Sequence, residues 1–194
     1  MAIVTVITFR LITIVNCRDL TPYRIFLLKV MFAFFMTTTS WGASTPDVKP
    51  PAQLASDSAI CKHQKKEDVC AYIGNAKFIQ GATHLEAEQI TIYRTASEIK
   101  KIVASGNAKF IQDTTHLEAE QITIHRKASE TKKIVASGKD SSYSATTDDN
   151  QQLKAVADLI TIDPNKHSMI LEKNGQLFIG QDKYKGPYID YKFK

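Results

Sequence analysis

From Cys70 onward, apolar and polar residues alternate with the period of two that marks a half-buried β-strand. Ile102, Ala104, Gly106, Ala108, Phe110 and Gln112 share one face, with Lys101, Ser105 and Lys109 between them, which predicts one long strand over 99–112. Gly106 at its middle predicts a bend through which that strand passes from one sheet to another. A second arm, over 84–93, reads Leu85, Ala87, Ile90, Ile92, and its step of three predicts a bulge or corner near Glu88 and Gln89. HLEAEQI taken alone contains good helix formers. The ITIYRT that follows is too β-branched to continue a helix, so the strand reading holds.

The pattern repeats. Residues 74–105 recur at 106–137, a tandem repeat of 32 residues with five differences: Gly81/Asp113, Ala82/Thr114, Tyr93/His125, Thr95/Lys127 and Ile99/Thr131. All five fall at or beside expected turns, near 94–97 and 112–115. Such a period implies a supersecondary unit that buries its apolar face by stacking on its neighbours. A degenerate third copy follows, in which Ala157 to Ile162 echo Ala87 to Ile92 and Gly175 to Ile179 echo Gly106 to Phe110. Its turn is Asp163-Pro164-Asn165, and its lead-in from Asp140 to Gln152 reads as a polar loop. The expected fold is all-β: antiparallel arms, each bent at its middle, stacked into two facing sheets as a β-jelly roll with an apolar groove. Its exposed edges are expected near Tyr72–Ile79 and Tyr188–Phe193.

The N-terminal third has a different character. Residues 25–36 (IFLLKVMFAFFM) are apolar apart from Lys29, follow Arg24 and lead to Ser40-Trp41-Gly42-Ala43. They read as an export signal cleaved near Gly42/Ala43, preceded by an unusually long apolar start. An uncleaved anchor is the alternative, although the run is shorter than the roughly 20 residues a spanning helix needs. The domain reading is a signal region at 1–42, a Pro-rich, disordered or extended lead-in at 43–58, and one domain at 59–194. The net charge of +5 shrinks accordingly. Four of 25 basic residues and one of 20 acidic ones precede Ala43, leaving 21 against 19, or +2, without a basic patch. Nucleic acid is not an expected partner.

Cys61 and Cys70 remain as an even pair in an exported chain, which predicts a local disulfide. His63 between them raises a zinc reading, but no fourth ligand is evident and structural zinc sites are closed with four. His84/His116 and the pairs Glu86/Glu88 and Glu118/Glu120 are duplicated with the scaffold and fall on an outer face. No nucleophile motif, metal motif or phosphate loop occurs. The sequence therefore predicts no enzyme, no catalytic residue, no metal and no cofactor.

The inner stripe is the candidate binding surface: Phe78, Leu85, Ala87, Ile90, Ile92, Ile102, Ala104 and Phe110, then Leu117, Ile122, Ile124 and Ile134, then Ile160, Ile162 and Phe178. It fits a closed sandwich core. It also fits a ligand groove, because Ala76, Ala87, Ala104 and Ala108 leave volume that Leu or Phe would fill.

Ile73 to Gly81 (IGNAKFIQG), followed by Leu85-x-Ala87-Glu88-x-Ile90-x-Ile92, resembles the signature of the LptA/OstA-like family of periplasmic lipopolysaccharide-transport proteins. Asp140 to Ser144 and Gly175 to Tyr191 are similar to its second half, so the resemblance spans about Ser56 to Tyr191. It implies an OstA-like β-jelly roll, open at both ends, whose inner stripe carries lipid A acyl chains. It also implies head-to-tail homo-oligomers joined by strand addition, with an inner-membrane anchor and an outer-membrane translocon as partners in the periplasm. The duplicated unit makes this chain one repeat longer than the family pattern. Two other readings stay open: a repeat-built adhesin that binds protein, and a membrane-anchored, LptC-like component of the same pathway.

Overall fold

The computed structural model describes residues 50–65, 67–95, 98–127, 130–147 and 149–193. The signal region and the start of the lead-in lie outside the described residues. Ten strands follow: β1 Gln53–Ala55, β2 Ser58–His63, β3 Asp68–Gln80, β4 Thr83–Thr95, β5 Glu98–Gln112, β6 Thr115–Lys127, β7 Glu130–Thr146, β8 Gln152–Asp163, β9 Ser168–Ile179 and β10 Asp182–Lys192. From β3 to β10 each strand pairs antiparallel with the next, an up-and-down order that follows the short turns between arms.

Every long arm bends at one level. The register slips between Ile73 and Ala76, Ser105 and Ala108, and Ser137 and Ser141, so β3, β5 and β7 each carry extra residues opposite β4, β6 and β8. The corner is built from Gly74-Asn75 and Gly106-Asn107, with φ of 82° and 45° in the first and 82° and 47° in the second. Asn tolerates this left-handed conformation better than other side chains. It also bonds across the corner, Asn75 Nδ2 donating to Asp57 at 3.2 Å, Asn107 to Glu88 at 3.1 Å and Asn174 to Asp158 at 2.9 Å. The bend predicted at Gly106 and the break at Glu88-Gln89 are thus the two sides of one corner. The two halves of the folded sheet face each other over a single apolar core.

Three details differ from the sequence reading. The first edge is not Tyr72–Ile79: β1 pairs with Lys77–Ile79 and β2 with Asp68–Ile73, so together they form an additional arm that covers β3. These strands are short and too exposed to alternate, which hides them from periodicity. Asp140 to Thr146 is strand rather than loop, because the bulge at Gly138–Asp140 resets the face and Ser141 is buried with its hydroxyl donating to the Gly138 carbonyl at 3.0 Å. In the third copy the corner falls on Lys173-Asn174, with φ of 60° and 59°, so Leu177 occupies the level of Phe110. Phe178 is therefore turned to the outer face, where Lys183 Nζ lies 4.9 Å from its ring centre.

Candidate functional site

Between the two half-sheets, apolar side chains line up in cross-strand rows along the whole stack. On one half, Leu54, Phe78, Leu85, Phe110, Leu117, Tyr143, Ala155 and Leu177 are successive register partners. On the other half, Cys61, Cys70, Ile92, Ile102, Ile124, Ile134, Ile162 and Met169 form a second row. A third row, one step nearer the corner, runs Ile90, Ala104, Ile122, Ala136, Ile160 and Leu171. Beside the corner the residues are small, with Ala76 opposite Ala87 and Ala108 opposite Ala119, as the narrow end of a wedge requires. Of the fifteen sequence-predicted stripe residues all but Phe178 lie in this core. At about 4.8 Å per strand, each 32-residue copy lengthens the rows by roughly 10 Å.

The wedge opens opposite the corner, where two rows of turns face each other as lips. Residues 80–83 and 112–115, with Thr147 and Gln151, belong to one lip; Arg126, Lys127, Glu130 and Thr131, with residues 164–167, belong to the other. Three cavities occupy the seam between them. One of about 510 Å³ is lined by Tyr143, Leu153, Ile179, Tyr191 and Phe193, one of about 350 Å³ by Phe110, Ile134, Tyr143, Ile162 and Phe193, and one of about 470 Å³ by Gln80, Gln112, Arg126 and Ile134. The first two share Tyr143 and Phe193, and the second and third share Ile134, so the three adjoin along the seam. Among the contacts that cross it, Arg126 Nη1 donates to Gln80 Oε1 at 2.8 Å, and the Tyr143 and Phe193 rings lie 6.3 Å apart. Burial lowers the pKa of Arg126 and raises that of Tyr143, the latter opposed by a hydrogen bond with Thr115. Sequence reasoning missed Tyr143 and Phe193. Tyr143 sits in the stretch read as a loop, and Phe193 reaches the seam through the backbone bond from its N–H to the His167 carbonyl at 2.8 Å.

The remaining candidates sit apart from this interior. Glu86 and Glu118 are on the outer face, paired with Lys77 at 2.9 Å and Lys109 at 3.3 Å, and His84 and His116 are exposed beside them. Cys61 and Cys70 are direct register partners, bonded at the β2–β3 end of the second apolar row. His63 Nδ1 lies 3.0 Å from Asp68.

The family model described as LptA/(LptD N-terminal domain) LPS transport protein matches residues 53–110 and 95–194, which together span all the strands. The chain belongs to this family. Its two matches overlap across the duplicated unit, as two entries of one pattern into a repeat would. Among solved structures the chain is similar to LptH, the LptA-homologous periplasmic component of the lipopolysaccharide transport device from Pseudomonas aeruginosa, at 15% identity and a TM-score of 0.45, covering 73% of this chain and 76% of that one. No curated protein matches it in sequence. As a member of the LptA/LptD N-terminal family it is an LPS-transport protein with an all-β, antiparallel, open-ended sheet.

Proposed function

We propose that the protein is a periplasmic carrier that holds the acyl chains of lipopolysaccharide between its half-sheets and passes the lipid along the stack, from an inner-membrane anchor towards an outer-membrane translocon. The observation that carries this reading is the coincidence of uninterrupted apolar rows with a seam that opens into three cavities on either side of the Arg126–Gln80 and Tyr143–Phe193 contacts. A fully enclosed chain of a dozen carbons gains roughly 10 kcal/mol, at about 0.8 kcal/mol per methylene. The interior between the cavities is already packed, so the lips must part to admit a chain. The cost of losing that packing lowers the net affinity to a level from which a lipid can move on. Transport so described needs no catalytic group.

The uncovered edges are the β1/β2 arm and β10. Head-to-tail addition of β10 to the β1/β2 arm of the next copy, or to the pathway's anchor and translocon, would continue the rows from one subunit into the next. Purification from a Gram-negative periplasm should recover lipopolysaccharide in near-stoichiometric amount, displaced by excess lipid A. Purified protein that binds neither lipid, or binds only protein partners, would favour the adhesin reading.

A further inference from the structure

The outer face behind the lip that carries Arg126 and Lys127 has a row unlike any other among the described residues. Tyr93, Lys101, His125 and Lys133 are successive register partners across β4 to β7. Paired residues have Cβ atoms about 4.5–5.5 Å apart, and like charges placed directly opposite destabilise a sheet. Elsewhere the outer face avoids this, pairing Lys77 with Glu86 and Lys109 with Glu118 in register. Here no carboxylate comes within ion-pair distance of Lys101, His125 or Lys133 among the described residues. Lys101 Nζ instead lies 3.9 Å from the Tyr93 ring centre.

The divergence of the two copies concentrates on the same place. Three of the five differences between them lie at this lip, where Tyr93, Thr95 and Ile99 of the first copy correspond to His125, Lys127 and Thr131 of the second. On the facing lip Gly81 corresponds to Asp113. The second copy therefore carries its added basic groups on one lip and its added acid on the other, while its apolar rows are unchanged.

We propose that Lys101, His125 and Lys133 form an anion site that receives a phosphate group of the glycolipid whose chains occupy the interior. The inference rests on the carrier reading above and adds an orientation to it. Lipid A is an acylated disaccharide bearing phosphates, so chains inserted through the seam leave the sugars at the lips. The cationic lip then holds the phosphate and the facing lip does not. Two lysines and an imidazole, neighbours in one register row on three adjacent strands, can turn towards a phosphate and donate to its oxygens, Lys101 by leaving the Tyr93 ring. Being exposed, the site is screened by salt and steers the headgroup more than it adds affinity. Burial lowers the pKa of His125 first, and Lys101 and Lys133 lower it further. A bound phosphate opposes both lysines.

The test uses the full-length exported protein and two probes. First, the His125 imidazole is titrated by NMR in chloride, and in inorganic phosphate at equal ionic strength. Its pKa should rise by at least half a unit in phosphate, and in the K101Q/K133Q variant it should start higher and not respond. Second, capture of lipopolysaccharide is compared with capture of the same lipid after enzymatic dephosphorylation. Wild type should prefer the phosphorylated form three- to tenfold at low salt, and K101Q/K133Q should lose the preference while retaining the dephosphorylated lipid. A His125 titration indifferent to phosphate overturns the site. So does a preference that survives in K101Q/K133Q. A phosphate response at His125 without capture of either lipid keeps the anion site and sinks the carrier reading.

Discussion

Gly106→Ala tests the corner on which the two-layer fold depends. At φ +82° an L side chain is strained by about 1–2 kcal/mol. The added Cβ would also stand 2.7 Å from Glu88 Cβ and 2.6 Å from its carboxyl carbon. Rotating Glu88 away relieves the second contact and breaks the bond from Asn107. It cannot relieve the first, because both Cβ atoms are fixed by backbone. A strand shift at this level costs a further 1–3 kcal/mol or so by analogy with overpacking. The total is about 2–5 kcal/mol, a large share of the roughly 5–15 kcal/mol that stabilises a domain. Gly81→Ala is the control: φ is +60° there and its nearest contact is Pro50 at 3.4 Å, so strain alone applies, about 1–2 kcal/mol. Urea unfolding at 25 °C, followed by circular dichroism with the disulfide intact, measures both. A Gly106→Ala variant within 0.5 kcal/mol of wild type, or one no worse than Gly81→Ala, would refute the steric account of the corner.

Deleting residues 75–106 joins Gly74 to Asn107 and recreates a Gly-Asn corner with matching backbone angles. The shortened protein should unfold cooperatively with a smaller denaturant dependence and lower stability, whereas deleting 16 residues should abolish folding; failure of the 32-residue deletion to fold would show that the unit is not modular. Cys61→Ser with Cys70→Ser should cost about 2–3 kcal/mol, from the loop closed by a nine-residue separation, and mass spectrometry of exported wild type should find the pair oxidised rather than free or zinc-bound. Because His125 has a lowered folded-state pKa, the unfolded chain binds its proton first as pH falls through about 6.5. Stability should drop on acidification from 7.5 towards the folded-state value, and His125→Tyr, which restores the residue of the first copy, should remove that part of the dependence; an identical pH profile in both proteins would contradict it.

Periodicity made the long arms legible because each buries one face, and the copies made the corner legible because Glu88-Gln89 and Gly106-Asn107 recur as Glu120-Gln121 and Gly138-Lys139. What escaped has local causes. β1 and β2 are too short and exposed to show alternation, yet both pair fully with β3. In the third copy the sequence matches Gly175 to Gly106, whereas the corner pair in the structure is Lys173-Asn174, since residues other than Gly can hold positive φ there. That two-residue offset puts Leu177 rather than Ile179 level with Phe110 but leaves the face of each residue unchanged, so Phe178 is an outer position in either alignment and its place in the inner stripe was a parity error. The seam was illegible for a deeper reason: Gln80, Arg126, Tyr143 and Phe193 meet only when the sheet folds over, and no local spacing encodes that meeting.

The most direct measurement places a photo-crosslinking residue at single positions of the protein in living Gram-negative cells and asks which positions capture lipopolysaccharide. Ile92, Ile102, Phe110 and Ile134 sample the inner rows, while Glu86, Thr91 and His116 sample the outer face away from the cationic lip. The carrier account predicts capture from the inner positions in both copies and none above background from the outer ones. Equal capture from both faces, or none from the interior of a folded and exported protein, would contradict it.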